Sequence, residues 1–145
     1  MQNESNLDAI NEVYRNANVA LLAISNVLPE ITDVELKKEI LEEYEGYEKI
    51  LGEISKYMTE KGYEAKEVGT MKKFMMKSGI KMNTVIDDSE SNIAQIMIKG
   101  TVMGVTELCE LINNGENITD KKIIEYAERL KSLEETYEER LKKFL

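Results

Sequence analysis

The chain of 145 residues has the size of one domain, and its 28 acidic side chains outnumber its 19 basic ones, for a formal net charge of -9. This charge argues against nucleic acid or an anionic membrane surface as the main partner. The sequence contains no histidine, which excludes every catalytic constellation that requires an imidazole. We therefore expect a single domain, residues 1–145, that is not an enzyme of any histidine-dependent class.

The compartment is predicted from one cysteine and the first residues. Cys109 is the only cysteine, so no disulfide can form within the chain. Residues 1–6 are polar and lack the pattern of a signal peptide, and no apolar run reaches the roughly 18–20 residues that span a bilayer. We expect a cytoplasmic protein without membrane insertion.

Apolar residues three and four apart predict a first helix from Leu7 to Leu28, which Pro29 ends. Thr32 with Glu35 three positions later has the side-chain pattern of a capping box, so a second helix is predicted to begin there. This helix is expected to continue to about Lys61, with Gly62 as the left-handed residue that ends it. So short a connection between two long helices predicts an antiparallel hairpin.

The segment between the second and third helices is predicted to be a short helical crossover. It is the one basic, methionine-rich part of an acidic chain, and its apolar residues include Met71, Phe74 and Met75. We expect these side chains to pack across the bundle, because methionine at helical spacing usually fills core gaps. The alternative is a docking surface for a partner helix.

Asp88, Ser89 or Ser91 can cap a third helix that continues to about Asn113, where Asn114 and Gly115 end it. Gly100 and Gly104 lie four residues apart on one face of this helix. Two missing side chains let another helix approach closely, so we expect tight packing there, with an interaction surface as the alternative.

Thr119 or Asp120 caps a fourth helix, whose apolar stripe continues to Phe144. The chain thus has four long helices, with a short link, a long link and a short link between them. Two antiparallel hairpins joined by a crossover are the connectivity of a ferritin-like four-helix bundle, and we predict that all-α fold.

Two polar pairs interrupt the apolar stripes of the second and fourth helices: Glu43 with Tyr47, and Glu134 with Tyr137. A di-iron site of the ferritin type would need two histidines and one more acid than the stripes supply. A divalent cation such as Mn²⁺, Mg²⁺ or Ca²⁺ accepts carboxylates alone, and its candidate ligands are Glu43, Glu107, Glu134 and Glu135.

Two interpretations of these glutamates without a metal are alternatives to this prediction. In the one that we expect, Tyr44 and Leu133 fill the core and the glutamates lie beside them at its boundary. In the other, a glutamate and a tyrosine form a buried hydrogen bond across the bundle, where desolvation raises the carboxyl pKa.

The third helix and the C-terminus carry a resemblance. The segments 82–84, 87–91 and 93–105, together with Glu134-Glu135 and the ending 141–145, resemble those of a family of small uncharacterised Firmicute proteins. The resemblance implies a ferritin-like four-helix bundle and no particular activity.

These observations favour a non-enzymatic, cytoplasmic bundle that acts by self-association, as a homo-oligomer, or by binding a protein partner. The alternative function is a degenerate, all-carboxylate member of the ferritin-like metal binders. No organic cofactor is expected, because the sequence contains no glycine-rich phosphate loop.

Overall fold

The structure is a computed structural model that describes residues 4–66 and 89–145, and these residues form four long α-helices. They are α1 (Glu4–Val27), α2 (Val34–Lys61), α3 (Glu90–Asn113) and α4 (Lys121–Leu141). Single turns of 3-10 helix cover Leu28–Glu30, Gly115–Asn117 and Lys142–Phe144, and the described residues include no strand. The all-helical prediction is confirmed, whereas the crossover with Met71, Phe74 and Met75 lies outside the described residues.

The ends of α2 are set by one side chain and one glycine. The carboxylate of Asp33 accepts a 2.8 Å hydrogen bond from the Leu36 N–H, so Asp33 caps the helix and the predicted capping box of Thr32 and Glu35 is wrong. A carboxylate satisfies an otherwise unpaired N–H of the first turn and also interacts favourably with the helix dipole. At the other end, Gly62 has the predicted left-handed conformation, with φ 72°.

The ends of α3 and α4 agree with the sequence. The Ser89 hydroxyl accepts a hydrogen bond from the Asn92 N–H, and the Asp120 carboxylate accepts one from the Lys122 N–H. Each residue was one of the predicted caps, and α3 ends at Asn113 as expected. Side-chain capping therefore fixes where three of the four helices begin.

The helices share one hydrophobic core. α1 packs mainly against α2, α3 packs mainly against α4, and α1 also contacts both α3 and α4. Three side-chain pairs join α2 to α4, and later residues of α2 meet earlier residues of α4: Tyr47 with Tyr137, Glu53 with Arg129, and Tyr57 with Tyr126. α2 and α4 therefore run antiparallel. Within the described ranges, no helix is both long and apolar enough to cross a membrane.

Two buried asparagines of α1 form hydrogen bonds that connect three segments at one end of the bundle. The Asn6 carboxamide bonds the backbone N–H and the hydroxyl of Thr119, just before α4. The Asn11 carboxamide donates to the Glu64 carbonyl and accepts from the Lys66 N–H, just after α2. Because each asparagine makes two hydrogen bonds to residues distant in sequence, this end of the bundle has a defined arrangement.

Candidate functional site

Two carboxyl groups lie inside the bundle. Glu43 on α2 is 1% exposed and Glu134 on α4 is 2% exposed, whereas Tyr44 and Leu133 are only half-buried. The expectation that Tyr44 and Leu133 fill the core while the glutamates lie at its boundary is wrong. The three-four spacing of each stripe, continued without a break, places the glutamate itself on the inward face.

The Glu134 carboxyl group is held between α2 and α3. Tyr47 of α2 lies close enough to this carboxyl group to lower its pKa. On the α3 side its two oxygens lie 2.7 and 3.0 Å from the position that a Cβ of Gly104 would occupy. Burial, and then the neighbouring Glu107, hold the pKa of Glu134 well above its usual range, although Tyr47 opposes them. Glu134 and Tyr47 are thus buried neighbours across the bundle, and desolvation raises the carboxyl pKa, whereas the hydrogen bond between them stays a prediction.

Glu43 lies in surroundings that disfavour its ionised form. Burial, and then the neighbouring Glu39, raise the pKa of Glu43 to about 10, and the positive charge of Arg140 offsets only part of this. Neither oxygen of Glu43 has a hydrogen-bond partner among the described residues. At neutral pH the Glu43 side chain is consequently a neutral acid inside the core.

Tyr47 and Tyr137 pack against each other near the two buried acids. Their rings pack edge to face with centroids 5.3 Å apart. Burial first, and then the charges of Glu134 and Glu43, raise the pKa of Tyr47, so both acids act on the same phenol. The Tyr137 hydroxyl lies in the space that a side chain at Gly46 would fill. Each large polar side chain is thus accommodated by a glycine on the helix opposite.

A cavity of about 30 Å³ lies beside this group. Polar residues from all four helices border it: Asn16 of α1, Tyr47 of α2, Thr101 of α3 and Glu134 of α4. Gly100 and Gly104 of α3 complete one wall, and Val19, Ala20, Ala23 and Met97 supply an apolar surface. Gly104 of the predicted glycine face is therefore buried in the chain's own interior.

The predicted metal ligands are placed in different environments. Glu43 and Glu134 are in the interior, and Glu107 is near enough to Glu134 to raise its pKa. Glu135 is on the exposed side of α4, where it forms a 3.7 Å ion pair with Lys131. Among residues 4–66 and 89–145, no three acidic or cysteine side chains are grouped so that they could hold a metal ion.

Three polar residues near the site were missed from the sequence: Asn16, Glu39 and Thr101, all of them buried. Asn16 extends the apolar stripe of α1, three residues after Val13 and four before Ala20, and Glu39 precedes Glu43 by one turn. These spacings place Asn16 and Glu39 on the inward faces of their helices and could have identified them. Asn16 therefore adds a buried polar residue to the inward face of α1.

Comparison with known proteins gave no counterpart: no protein-family model, no curated protein and no solved structure matches the chain.

Proposed function

We propose that this chain is a non-enzymatic ferritin-like bundle that acts by associating with a second copy of itself. The proposed connectivity is two antiparallel hairpins, α1 with α2 and α3 with α4. It is supported by the contacts of Asn11 with Glu64 and Lys66, which bring the beginning of α1 to the end of α2. The antiparallel contacts of α2 with α4 also fit this connectivity.

The proposal of self-association rests on the exposed apolar residues of the outer face of α2. Val34 is 75% exposed and Leu41, two helical turns later, is 41% exposed. Lys37 and Lys38 lie between them, and Glu42 and Glu45 follow. These residues line a shallow open groove together with Ile31. An apolar centre bordered by charges of both signs is typical of a surface that binds another protein.

The order of the charges favours a second copy as the occupant. Lys37 precedes Leu41 by four residues and Glu45 follows it by four. If two copies of α2 pack antiparallel about a two-fold axis at Leu41, Lys37 of each copy lies opposite Glu45 of its partner. None of the ion pairs formed within the described residues uses Lys37 or Glu45.

Sedimentation velocity over a range of protein concentrations tests this proposal. We expect a monomer–dimer equilibrium that Leu41→Glu shifts to monomer, because a charge is placed at the centre of the apolar contact. Val102→Glu is the matched control, since Val102 lies on α3 and is 42% exposed. A wild-type chain that stays monomeric at high concentration would overturn the proposal.

Exchanging the charges at Lys37 and Glu45 tests whether the two copies of α2 pack antiparallel. Lys37→Glu alone places like charges opposite each other and is expected to weaken the dimer, and adding Glu45→Lys is expected to restore it. Equal weakening by the single and double variants would show that the two copies meet in another way.

A further inference from the structure

We propose that the cavity bordered by Asn16 and Glu134 binds a small neutral hydroxyl compound, either water or an alcohol of the size of methanol. This inference goes beyond self-association and does not depend on it, because the cavity lies within one chain. It also differs from the metal site predicted from the sequence, since the guest carries no charge.

Asn16 presents a fixed acceptor to the cavity. It is 3% exposed, and its Nδ2 donates a 3.1 Å hydrogen bond to the Gly104 carbonyl, which fixes the orientation of the carboxamide. Its Oδ1 has no hydrogen-bond partner among the described residues. A buried acceptor without a donor is unfavourable, so a guest that donates an O–H to Oδ1 stabilises the folded chain.

The Glu134 carboxyl group presents both a donor and an acceptor to the same cavity. The side chain is buried, and its Oε1 has no partner among the described residues. Burial holds the pKa of Glu134 well above its usual range, which favours the protonated acid. A protonated carboxyl group has one O–H donor and further acceptor sites. A hydroxyl group, which donates and accepts at once, therefore complements Asn16 and Glu134 together.

The rest of the lining favours a neutral guest over a cation. Its apolar part consists of Val19, Ala20, Ala23 and Met97. A divalent cation takes about six or more oxygen ligands, and an apolar wall supplies none. The protonated Glu134 also has no charge for a cation to offset. Two polar groups beside an apolar wall suit an O–H that carries a hydrogen atom or a methyl group.

The volume of the cavity limits the guest to about two non-hydrogen atoms. A water molecule needs roughly 10–15 Å³ of such volume, so about 30 Å³ admits one or two water-sized species. The guest is therefore one or two water molecules or a single methanol-sized alcohol. Longer or branched alcohols exceed this space.

A bound hydroxyl compound would join helices that are distant in sequence. Asn16 belongs to α1 and Glu134 to α4, and Asn16 is already bonded to the Gly104 carbonyl of α3. The Thr101 hydroxyl of α3 donates to the Met97 carbonyl at 2.7 Å, and its oxygen borders the same cavity as a further acceptor. The guest thus completes a polar contact among α1, α3 and α4 inside an apolar core.

Methyl NMR of the full chain tests for an alcohol. The probes are methanol and the larger 2-propanol, added separately at equal concentration. We expect methanol to shift the methyl signals of Ala23 and Met97 saturably, with a dissociation constant no tighter than roughly 1 mM for so small a guest. We expect no saturable shift with 2-propanol. The methyl signal of Ala9, also buried on α1, is the matched control.

Magnetic relaxation dispersion of water oxygen-17 tests for water, because it detects water molecules that stay bound longer than the chain takes to tumble. We expect at least one such molecule more in the wild type than in Asn16→Leu. Its loss on adding methanol would place both guests at one site. A long-lived water without a methanol shift identifies water as the guest, and a methanol shift without such a water identifies an alcohol.

Variants distinguish a neutral site from a cation site. Asn16→Leu and Glu134→Leu remove the polar atoms at similar volume, and each is expected to abolish the methanol shift and the long-lived water. Glu134→Gln is expected to retain the affinity within about threefold, because a carboxamide also donates and accepts. Glu135→Leu, at the exposed neighbouring position on α4, is the matched control and is expected to respond as the wild type does.

Three results would overturn the proposal. The first is a wild type with neither a saturable methanol shift nor a long-lived water that depends on Asn16. The second is a folded Asn16→Leu or Glu134→Leu variant that responds as the wild type does. The third is a loss of more than about tenfold with Glu134→Gln, the size of effect expected at a metal site. If one leucine variant fails to fold, the other still gives the result.

Discussion

The carboxyl group of Glu134 on α4 lies against Gly104 on α3, with Oε1 only 2.7 Å from the position of a Cβ at residue 104. We expect Gly104→Ala to destabilise the protein, because overpacking costs about 1–3 kcal/mol and exceeds the gain of about 1 kcal/mol in helix propensity. Urea unfolding of Gly104→Ala, Glu134→Ala and the double variant measures the coupling. Additive losses in that cycle would contradict the contact.

A second glycine allows the approach of Tyr137. A Cβ at Gly46 would overlap the Tyr137 hydroxyl and lie 3.0 Å from Cζ, whereas a Cβ at Gly52 on the same helix meets nothing within 4 Å. We expect Gly46→Ala to lower the free energy of unfolding by about 1–3 kcal/mol and Gly52→Ala to raise it by about 1 kcal/mol. Chemical denaturation of both variants makes this comparison. Equal effects would show that Tyr137 does not depend on Gly46.

The pKa of Glu43, about 10 instead of 4.5, makes stability depend on pH. The folded state holds a proton that the unfolded state has lost, so this contribution is fully present below about pH 4.5 and declines as the pH rises towards 10. The slope is at most about 1.4 kcal/mol per pH unit for one group. We expect Glu43→Gln to flatten the dependence in denaturation at about pH 5, 7 and 9.

The exposed Glu45 provides the control for this pH dependence, because it lies on the same helix. Glu45→Gln is expected to keep the slope of the wild type. A wild-type stability that rises from pH 5 to pH 9 would contradict a neutral, buried Glu43.

Asp120 is more than a helix cap. Besides the Lys122 N–H, it accepts the hydroxyls of Tyr57 and Tyr63 at 2.6 and 2.8 Å. Asp33 caps α2 without such partners, so Asp33→Ala is expected to cost about 1 kcal/mol. We expect Asp120→Ala to cost about 2–3 kcal/mol in chemical denaturation, because two tyrosine hydroxyls also lose their acceptor. Equal costs would show that the tyrosine bonds add nothing.

The same residue has the opposite pH dependence to Glu43. Burial raises the pKa of Asp120, but the hydrogen bonds from Tyr57 and Tyr63 and from the Lys122 N–H outweigh it and hold the pKa below 3.8. This contribution is therefore present above about pH 3.8 and is lost as the pH falls through the folded-state pKa. Asp120→Asn is expected to reduce the loss of stability in acid, measured by urea unfolding below pH 5.

The helix ends were largely predictable because they depend on local chemistry. Gly62 tolerates the left-handed backbone, and Ser89 and Asp120 accept hydrogen bonds from N–H groups two or three residues away. At α2 two neighbouring residues could both cap, and the sequence favoured Thr32 over Asp33. That choice depends on the exact dihedral angles at one residue, which the side-chain pattern does not determine.

The candidate site was only partly predictable. The helical periodicity correctly placed Glu43 and Glu134 on the inward stripes. Because carboxyl groups are rarely buried, we expected them at the boundary of the core instead. In the structure Glu134 lies against Gly104 of α3 and near Tyr47 of α2, and Glu43 lies near Tyr137 of α4. The same spacing on α1 could have identified Asn16.

The sequence by itself determined the all-helical character, the approximate spans of the four helices and the apolar residues of the inward stripes, since periodicity and capping act within a few residues. Only the tertiary structure decided that Glu134 meets Tyr47 and Gly104, that Glu39 adjoins Glu43, and that Asn16 borders the cavity. These relationships depend on the relative rotation and axial position of packed helices. Those quantities follow from the sum of many interhelical contacts and from no local pattern.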